Sequence, residues 1–314
     1  MGQTPFGSQK VITESISEAH LKTYFVGFDK NSAGQRYYRL KELIDLLQDV
    51  IPEFAFAHHG TISALNAINM IREAAKSIYR IKEFEKTRQI YENGKFIDDD
   101  EKTGKDKSLE RGEFGELILH LLLRDFHKTI PLLSKIYFKD AYGSTVHGFD
   151  AVHVEPIAKT LWLGESKLYI NPEKGLKALI QDIKTHFVRD YLRDEFNIIS
   201  KKVKLYENSS FPEREYWLDL MHRNTKMIDL LNSVSIPLLC TYSSENFTKY
   251  DDEKCAGFIK DYQKEIRKLK RYFDENNDHL LKSDLNIILL LFPVRSKNEL
   301  VKGMHEKLYH LQTI

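Results

Sequence analysis

The chain has 314 residues, with 47 Lys and Arg against 46 Asp and Glu, for a formal net charge of +1. Strong non-specific nucleic-acid binders carry a basic excess, so this balance argues against a freestanding one and leaves any capture of nucleic acid to local patches or a partner. Hydrophobic residues make up 42% and charged ones 30%, an ordinary globular composition with length for one large core or two modest ones.

The opening MGQTPFGSQK has no apolar signal core, and Phe6 stands where a myristoylation signal needs Ser or Thr. A strand is expected at 21–28 and a helix at 39–50. A longer helix runs from about 63 to 91, with Leu65, Ile68, Ile71, Ala75, Ile78 and Ile81 at steps of three and four. His58 and His59 invite a metal reading, but adjacent residues do not share a helix face, and the pair reads as loop. The polar stretch YENGKFIDDDEKTGKDKS at 91–108 is the linker candidate. It separates an N-terminal accessory α/β region, 1–104, from a main domain, 105–314.

Ser108 then caps a helix, SLERGEFGELILHLLLRDFH, with acids in its first turns. Three strand-like runs follow at 130–138, 146–155 and 160–169. A helix at 174–192 carries Leu176, Leu179, Ile180, Ile183 and Phe187 on one face, and SIPLLCTYS at 235–243 reads as a strand. The order is therefore helix, three strands, helix, strand. A charged helix at 252–275, a strand at 285–294 and a terminal helix complete the chain. Cys240 and Cys255 cannot build a disulfide framework and suit a reducing compartment. The longest apolar run, IILLLF at 287–292, is of strand length and too short for a membrane span. A cytoplasmic protein with no membrane partner is expected.

The chemistry gathers on the hairpin of the second and third strands. Centring its turn on Ile157–Ala158 pairs Glu155 with Thr160, Val154 with Leu161 and Val152 with Leu163, and sets Asp150 opposite Glu165. Strand side chains alternate, so Asp150, Glu165 and Lys167 join the face of Val152, Val154, Leu161 and Leu163, with Lys167 opposite Gly148. Like charges across a strand pair repel, and burial beside Val and Leu adds desolvation. A divalent cation such as Mg²⁺, which takes carboxylate and carbonyl oxygens, would compensate, with the main-chain carbonyl of Ser166 as a further ligand. Lys167 would then hold or help deprotonate a metal-bound water, or neutralise a phosphate. A solvent-facing hairpin end is the bland alternative, since acid-x-Lys also occurs at Asp100–Lys102, Asp182–Lys184 and Asp252–Lys254. On the helix from Ser108, Glu113, Glu116, His120 and Arg124 form one narrow polar stripe amid Phe and Leu, a pattern expected to face a partly wet cleft. Glu116, the more central, is the first choice to complete the metal site and Glu113 the second. Lys177 and Gln181, on the solvent side of the next helix, are candidate contacts to a DNA backbone, and Lys184 reads as a solvated surface residue.

These residues resemble the PD-(D/E)XK nuclease superfamily, in which an acid on the second strand and acid-x-Lys on the third follow a helix acid. Here they are Asp150, Glu165 and Lys167, with Glu116 or Glu113. The Pro of the name is replaced by Phe149. The resemblance implies a restriction-endonuclease-like core with an N-terminal α/β extension and C-terminal strand and helix additions. The longer strings RGEFGELILHLLLRDFHKTIPLLSKIYFKD, VHGFDAVHV and LWLGESKLY look like the HamA family of Hachiman anti-phage defence systems. That likeness implies a DNase using Mg²⁺, with Mn²⁺ as an alternative. It would act on DNA in a heterocomplex with the helicase subunit HamB, which restrains it until aberrant DNA is sensed. A non-catalytic adaptor on the same fold, or an RNase, remains open at this level, because fold does not settle substrate.

Overall fold

A computed structural model describes residues 5–56, 64–78, 112–133, 148–204 and 213–313. The N-terminal region forms strands β1 (Ile12–Glu18), β2 (Leu21–Val26), β3 (Phe28–Lys30) and β4 (Arg36–Tyr38), then helices α1 (Leu40–Phe56) and α2 (Ala64–Ile78). Next come α3 (Gly112–Asp125), β5 (Ile130–Pro131), β6 (Ala151–Glu155) and β7 (Thr160–Tyr169). Helices α4 (Pro172–His186), α5 (Arg189–Val203), α6 (Arg214–Leu220) and α7 (Met227–Asn232) precede β8 (Val234–Ser243). The short α8 (Asn246–Lys249), the long α9 (Ala256–Asn276), β9 (Asn286–Val294) and α10 (Lys297–Thr313) finish the chain.

Among the described residues the result is a mixed α/β fold on a seven-stranded sheet of order β1-β2-β9-β8-β7-β6-β5. Strands β2, β9, β8 and β7 run parallel, and antiparallel pairs lie at both ends. Every residue of β8 except the last is buried, as expected of a parallel strand covered on both faces; this is why SIPLLCTYS reads as a continuous apolar run. Helix α3 lies against β7 on one face with α1 behind it, while α4 covers β7 and β8 on the other and touches α9. Strands β1 and β2 of the N-terminal region belong to the same sheet, since Leu21–Thr23 of β2 pair with Leu289–Leu291 of β9, while β3 and β4 pair with each other as a separate ribbon.

Several expectations change. The single helix at 174–192 is two, because the chain bends at Phe187 and Val188 and a fresh apolar stripe, Leu192, Phe196, Ile199 and Val203, becomes buried on α5. No Gly or Pro marks that bend, so periodicity runs straight through it. Among the described residues, four helices, not one, separate β7 from β8. Of the strand expected at 130–138, Ile130 and Pro131 pair with β6 and the Leu132 amide donates to the Val152 carbonyl at 2.8 Å, while 134–138 lie outside the described residues; β6 begins at Ala151. Strand β1 was not anticipated: ITESISE buries only its first residue fully and shows no alternation. The linker stretch, the boundary at 104/105, His58, His59, Ile81, Ser108 and residues 134–147 lie outside the described residues. No helix among the described residues is long and apolar enough to cross a membrane.

Candidate active site

The β6–β7 ladder has the expected register, with Val152 opposite Leu163, Val154 opposite Leu161 and Glu155 opposite Thr160. It stops at Ala151 opposite Gly164, leaving Asp150 in a bend one step beyond. Even-numbered β7 residues face α3. A Cβ on Gly164 would stand 2.8 Å from Leu119 Cδ2, and one on Gly115 3.3 Å from Ser166 Oγ, so the two glycines let helix and strand close up. Odd-numbered residues, Glu165 and Lys167 among them, face α4.

Each expected residue of the hairpin site has a protein partner. Asp150 Oδ2 accepts hydrogen bonds from the Ser166 amide at 2.8 Å and from Ser166 Oγ at 3.0 Å. Glu165 is buried, and its Oε1 lies 2.6 Å from His186 Nδ1. Lys167 Nζ forms an ion pair with Asp182 Oδ2 at 2.6 Å. The His186 ring stacks on Tyr191, with centroids 4.5 Å apart and planes 14° from parallel, and stands edge-on to Phe149 at 6.2 Å. Helix α4 is started by Pro172 in its first turn and by Asn171, whose Oδ1 accepts from the Lys174 amide at 3.1 Å. The buried Leu179 and Ile183 then hold Asp182 and His186 toward β7.

The electrostatics are those of an anion-crowded cleft. Burial pushes the Glu165 carboxyl well above the usual range, and Asp150, Asp182 and Glu116 push it further, against the opposing pull of Lys167. Burial disfavours the Lys167 ammonium, yet Asp182, Asp150 and Glu165 outweigh it and raise its pKa. Burial lowers His186, so its imidazole is neutral at neutral pH, and its Nδ1 shares a hydrogen bond with Glu165 whose direction is set by the tautomer. Nearby on α5, burial lifts Glu195 to about 7. Four carboxylates around one ammonium suit a hard divalent cation, whose ligands are oxygens. Among the described residues, no three His, Cys, Asp or Glu side chains converge as a ligand set; Asp150 bonds Ser166 and Glu165 bonds His186.

The polar stripe of α3 divides. Glu116 is buried and adds its charge to that felt by Glu165, whereas Glu113 is partly exposed and does not figure among the charges acting on Glu165. His120 and Arg124 do not face the cleft. His120 Nε2 and Arg124 Nε bond Glu53 Oε1 of α1 at 3.0 and 2.5 Å, and His120 Nδ1 meets His153 Nε2 at 3.2 Å. A helix wrapped by both sheet and α1 has no wet side there, so the stripe is satisfied by protein instead. Lys177 and Gln181 are exposed, as expected, while Lys184 pairs with Asp278 at 2.5 Å. Asp182, His186, Tyr191 and Glu195 were missed. Asp182 and His186 lie four apart at the margin of the apolar stripe of α4, a legible signal of polar side chains aimed at a cleft.

Comparison with known families decides the lineage: the HamA family model matches residues 5–308. The chain belongs to the HamA family. That membership gives it a role in Hachiman defence. A search of the curated proteins found no match. In this HamA-family chain the match covers the N-terminal strands as well as the β6–β7 hairpin and α4.

Proposed function

We propose that the protein is a metal-dependent DNA nuclease of the PD-(D/E)XK type, the effector of a Hachiman complex with a helicase partner that restrains and activates it. The observation that carries this reading is the meeting of Asp150, Glu165 and Lys167 at one end of a buried hairpin, with Asp182 and Glu116 adding negative charge. Burial and the mutual repulsion of these carboxylates oppose the ionisation of Glu165, and a bound cation would relieve that repulsion.

Asp150, Glu165 and Glu116 would hold Mg²⁺ or Mn²⁺, with the main-chain carbonyl of Ser166 as a further oxygen. The ion would supply Lewis-acid polarisation of a phosphate and a water of lowered pKa. Lys167, kept protonated by Asp182, neutralises charge developing on the phosphate or steadies the attacking water. Ser166 fixes Asp150 through two donors. Lys177 and Gln181, exposed on α4, would contact the DNA backbone. The near-neutral net charge fits a subunit to which a helicase brings the substrate.

The test is thermal melting with and without Mg²⁺ or Mn²⁺. Metal should raise the melting temperature of the wild type, as any ligand of the native state does. Asp150→Ala and Glu165→Ala should melt cooperatively and lose that response. An unchanged metal response in both variants rules the site out.

A further inference from the structure

Glu165 and Lys167 are two residues apart on β7, so they project from one face about 6.6 Å apart along the strand. Asp182 and His186 are four apart on α4, so they project from one face about 6 Å apart along the helix. These rises match, and the pairs are crossed in order: the earlier strand residue meets the later helix residue. Glu165 bonds His186 and Lys167 forms an ion pair with Asp182, both at 2.6 Å. That is the pairing a helix gives when it returns antiparallel to the strand before it. Aromatic packing fixes the upper rung. Tyr191 of α5 stacks on the imidazole, and Phe149 touches His186, Phe187 and Tyr191 at 6.2, 5.3 and 5.9 Å between centroids. Since Phe149 adjoins Asp150, one aromatic cluster orients the neighbourhood of both hairpin carboxylates.

We infer that Asp182 and His186 form a two-rung brace that positions the reactive groups of β7, an assignment that rests on the metal-site reading above. His186 is a positioning residue for Glu165. By bonding Oε1 through Nδ1 it selects the carboxylate rotamer and leaves Oε2 for a cation, as outer partners of metal ligands do. Asp182 positions Lys167 in the same way, holding the ammonium over the cleft. The lower rung therefore serves the reaction and the upper rung the affinity for metal.

The experiment uses the full-length chain and titrates Mn²⁺ by calorimetry, with DNA cleavage by the complex with its helicase as a second readout. His186→Ala should weaken Mn²⁺ binding about ten- to a hundredfold. His186→Asn, whose amide nitrogen stands near the place of Nδ1, should recover most of that loss, which a purely structural role would not predict. Asp182→Asn should leave Mn²⁺ affinity within about threefold and lower kcat about tenfold or more without a matching change in KM. Wild-type affinity in His186→Ala, or an Asn variant no better than Ala, overturns the brace while the metal site stands. If His186→Ala does not fold, the Asn variant decides alone: at or near wild-type affinity it supports the brace, and a loss as large as about tenfold overturns it. A wild type that takes up no Mn²⁺ overturns both readings at once.

Discussion

Replacing Glu53 by Gln tests the joint between α1 and α3. Glu53 Oε1 accepts from His120 Nε2 and Arg124 Nε, and Oε2 accepts from Arg124 NH2 at 3.1 Å. Arg124 also donates to the Thr129 carbonyl at 2.5 Å. Burial alone would raise the Glu53 pKa, but the bonds from His120 and Arg124 prevail and bring it down to about 2 from an ordinary 4.5. Burial keeps His120 largely neutral, so Arg124 supplies the positive charge. The gap between 4.5 and about 2 corresponds to up to ~3 kcal/mol of stability, an upper figure because part of it assumes a charged His120. Removing one partner of a buried ion pair costs ~3–5 kcal/mol in comparable settings; Gln loses the charge but keeps an acceptor oxygen for Arg124, so a smaller loss of ~2–3 kcal/mol is expected for Glu53→Gln at pH 7. The folded pKa is depressed, so the stabilisation is complete above the unfolded value of 4.5 and fades as the pH falls through about 2. Urea unfolding at pH 7, 4 and 3 should show the gap between wild type and Glu53→Gln shrinking on acidification. A gap that holds constant down to pH 3, or one under ~1 kcal/mol at pH 7, refutes this account of the joint.

Three further outcomes are expected. Gly164→Ala places a Cβ 2.8 Å from Leu119 Cδ2, 3.2 Å from Pro237 Cγ and 3.3 Å from Ala151 Cβ, so it should destabilise by ~1–3 kcal/mol through overpacking, measured by denaturant melts. Glu116→Gln should weaken Mn²⁺ binding more than Glu113→Gln, because Glu116 alone of the two is buried and acts on Glu165; calorimetry giving the opposite order would make Glu113 the ligand. Glu165→Gln should raise the melting temperature in EDTA, since it removes a buried carboxylate that Asp150, Asp182 and Glu116 oppose; a lower melting temperature would mean that the bond to His186 outweighs the repulsion.

The hairpin was legible because its information is local. Alternation in VHVE and TLWL, with a short turn between, sets which side chains face each other, and the pairing of Val152 with Leu163 follows. Partner choice for the charges was not legible. Lys167 meets Asp182 only once α4 has folded back on β7, and Arg124 meets Glu53 across 71 positions of chain. A polar stripe on a buried helix signals that something polar lies opposite, without telling a wet cleft from a carboxylate on a neighbouring helix. Strand β1 escaped notice for a different reason: it is an outer strand of the sheet, so most of its side chains meet solvent and carry no apolar period.

In the proposed reaction Lys167 acts with the hairpin carboxylates in cutting DNA. The direct measurement is cleavage of DNA by the purified protein, alone and with the proposed helicase partner, in Mg²⁺, Mn²⁺ or EDTA, for wild type and Lys167→Ala. Cutting should need the metal and fall about a hundredfold or more in Lys167→Ala, the scale of general acid–base residues, with folding and metal binding retained. Cleavage that persists in EDTA, or at wild-type rate in a folded Lys167→Ala protein, would contradict the proposed reaction.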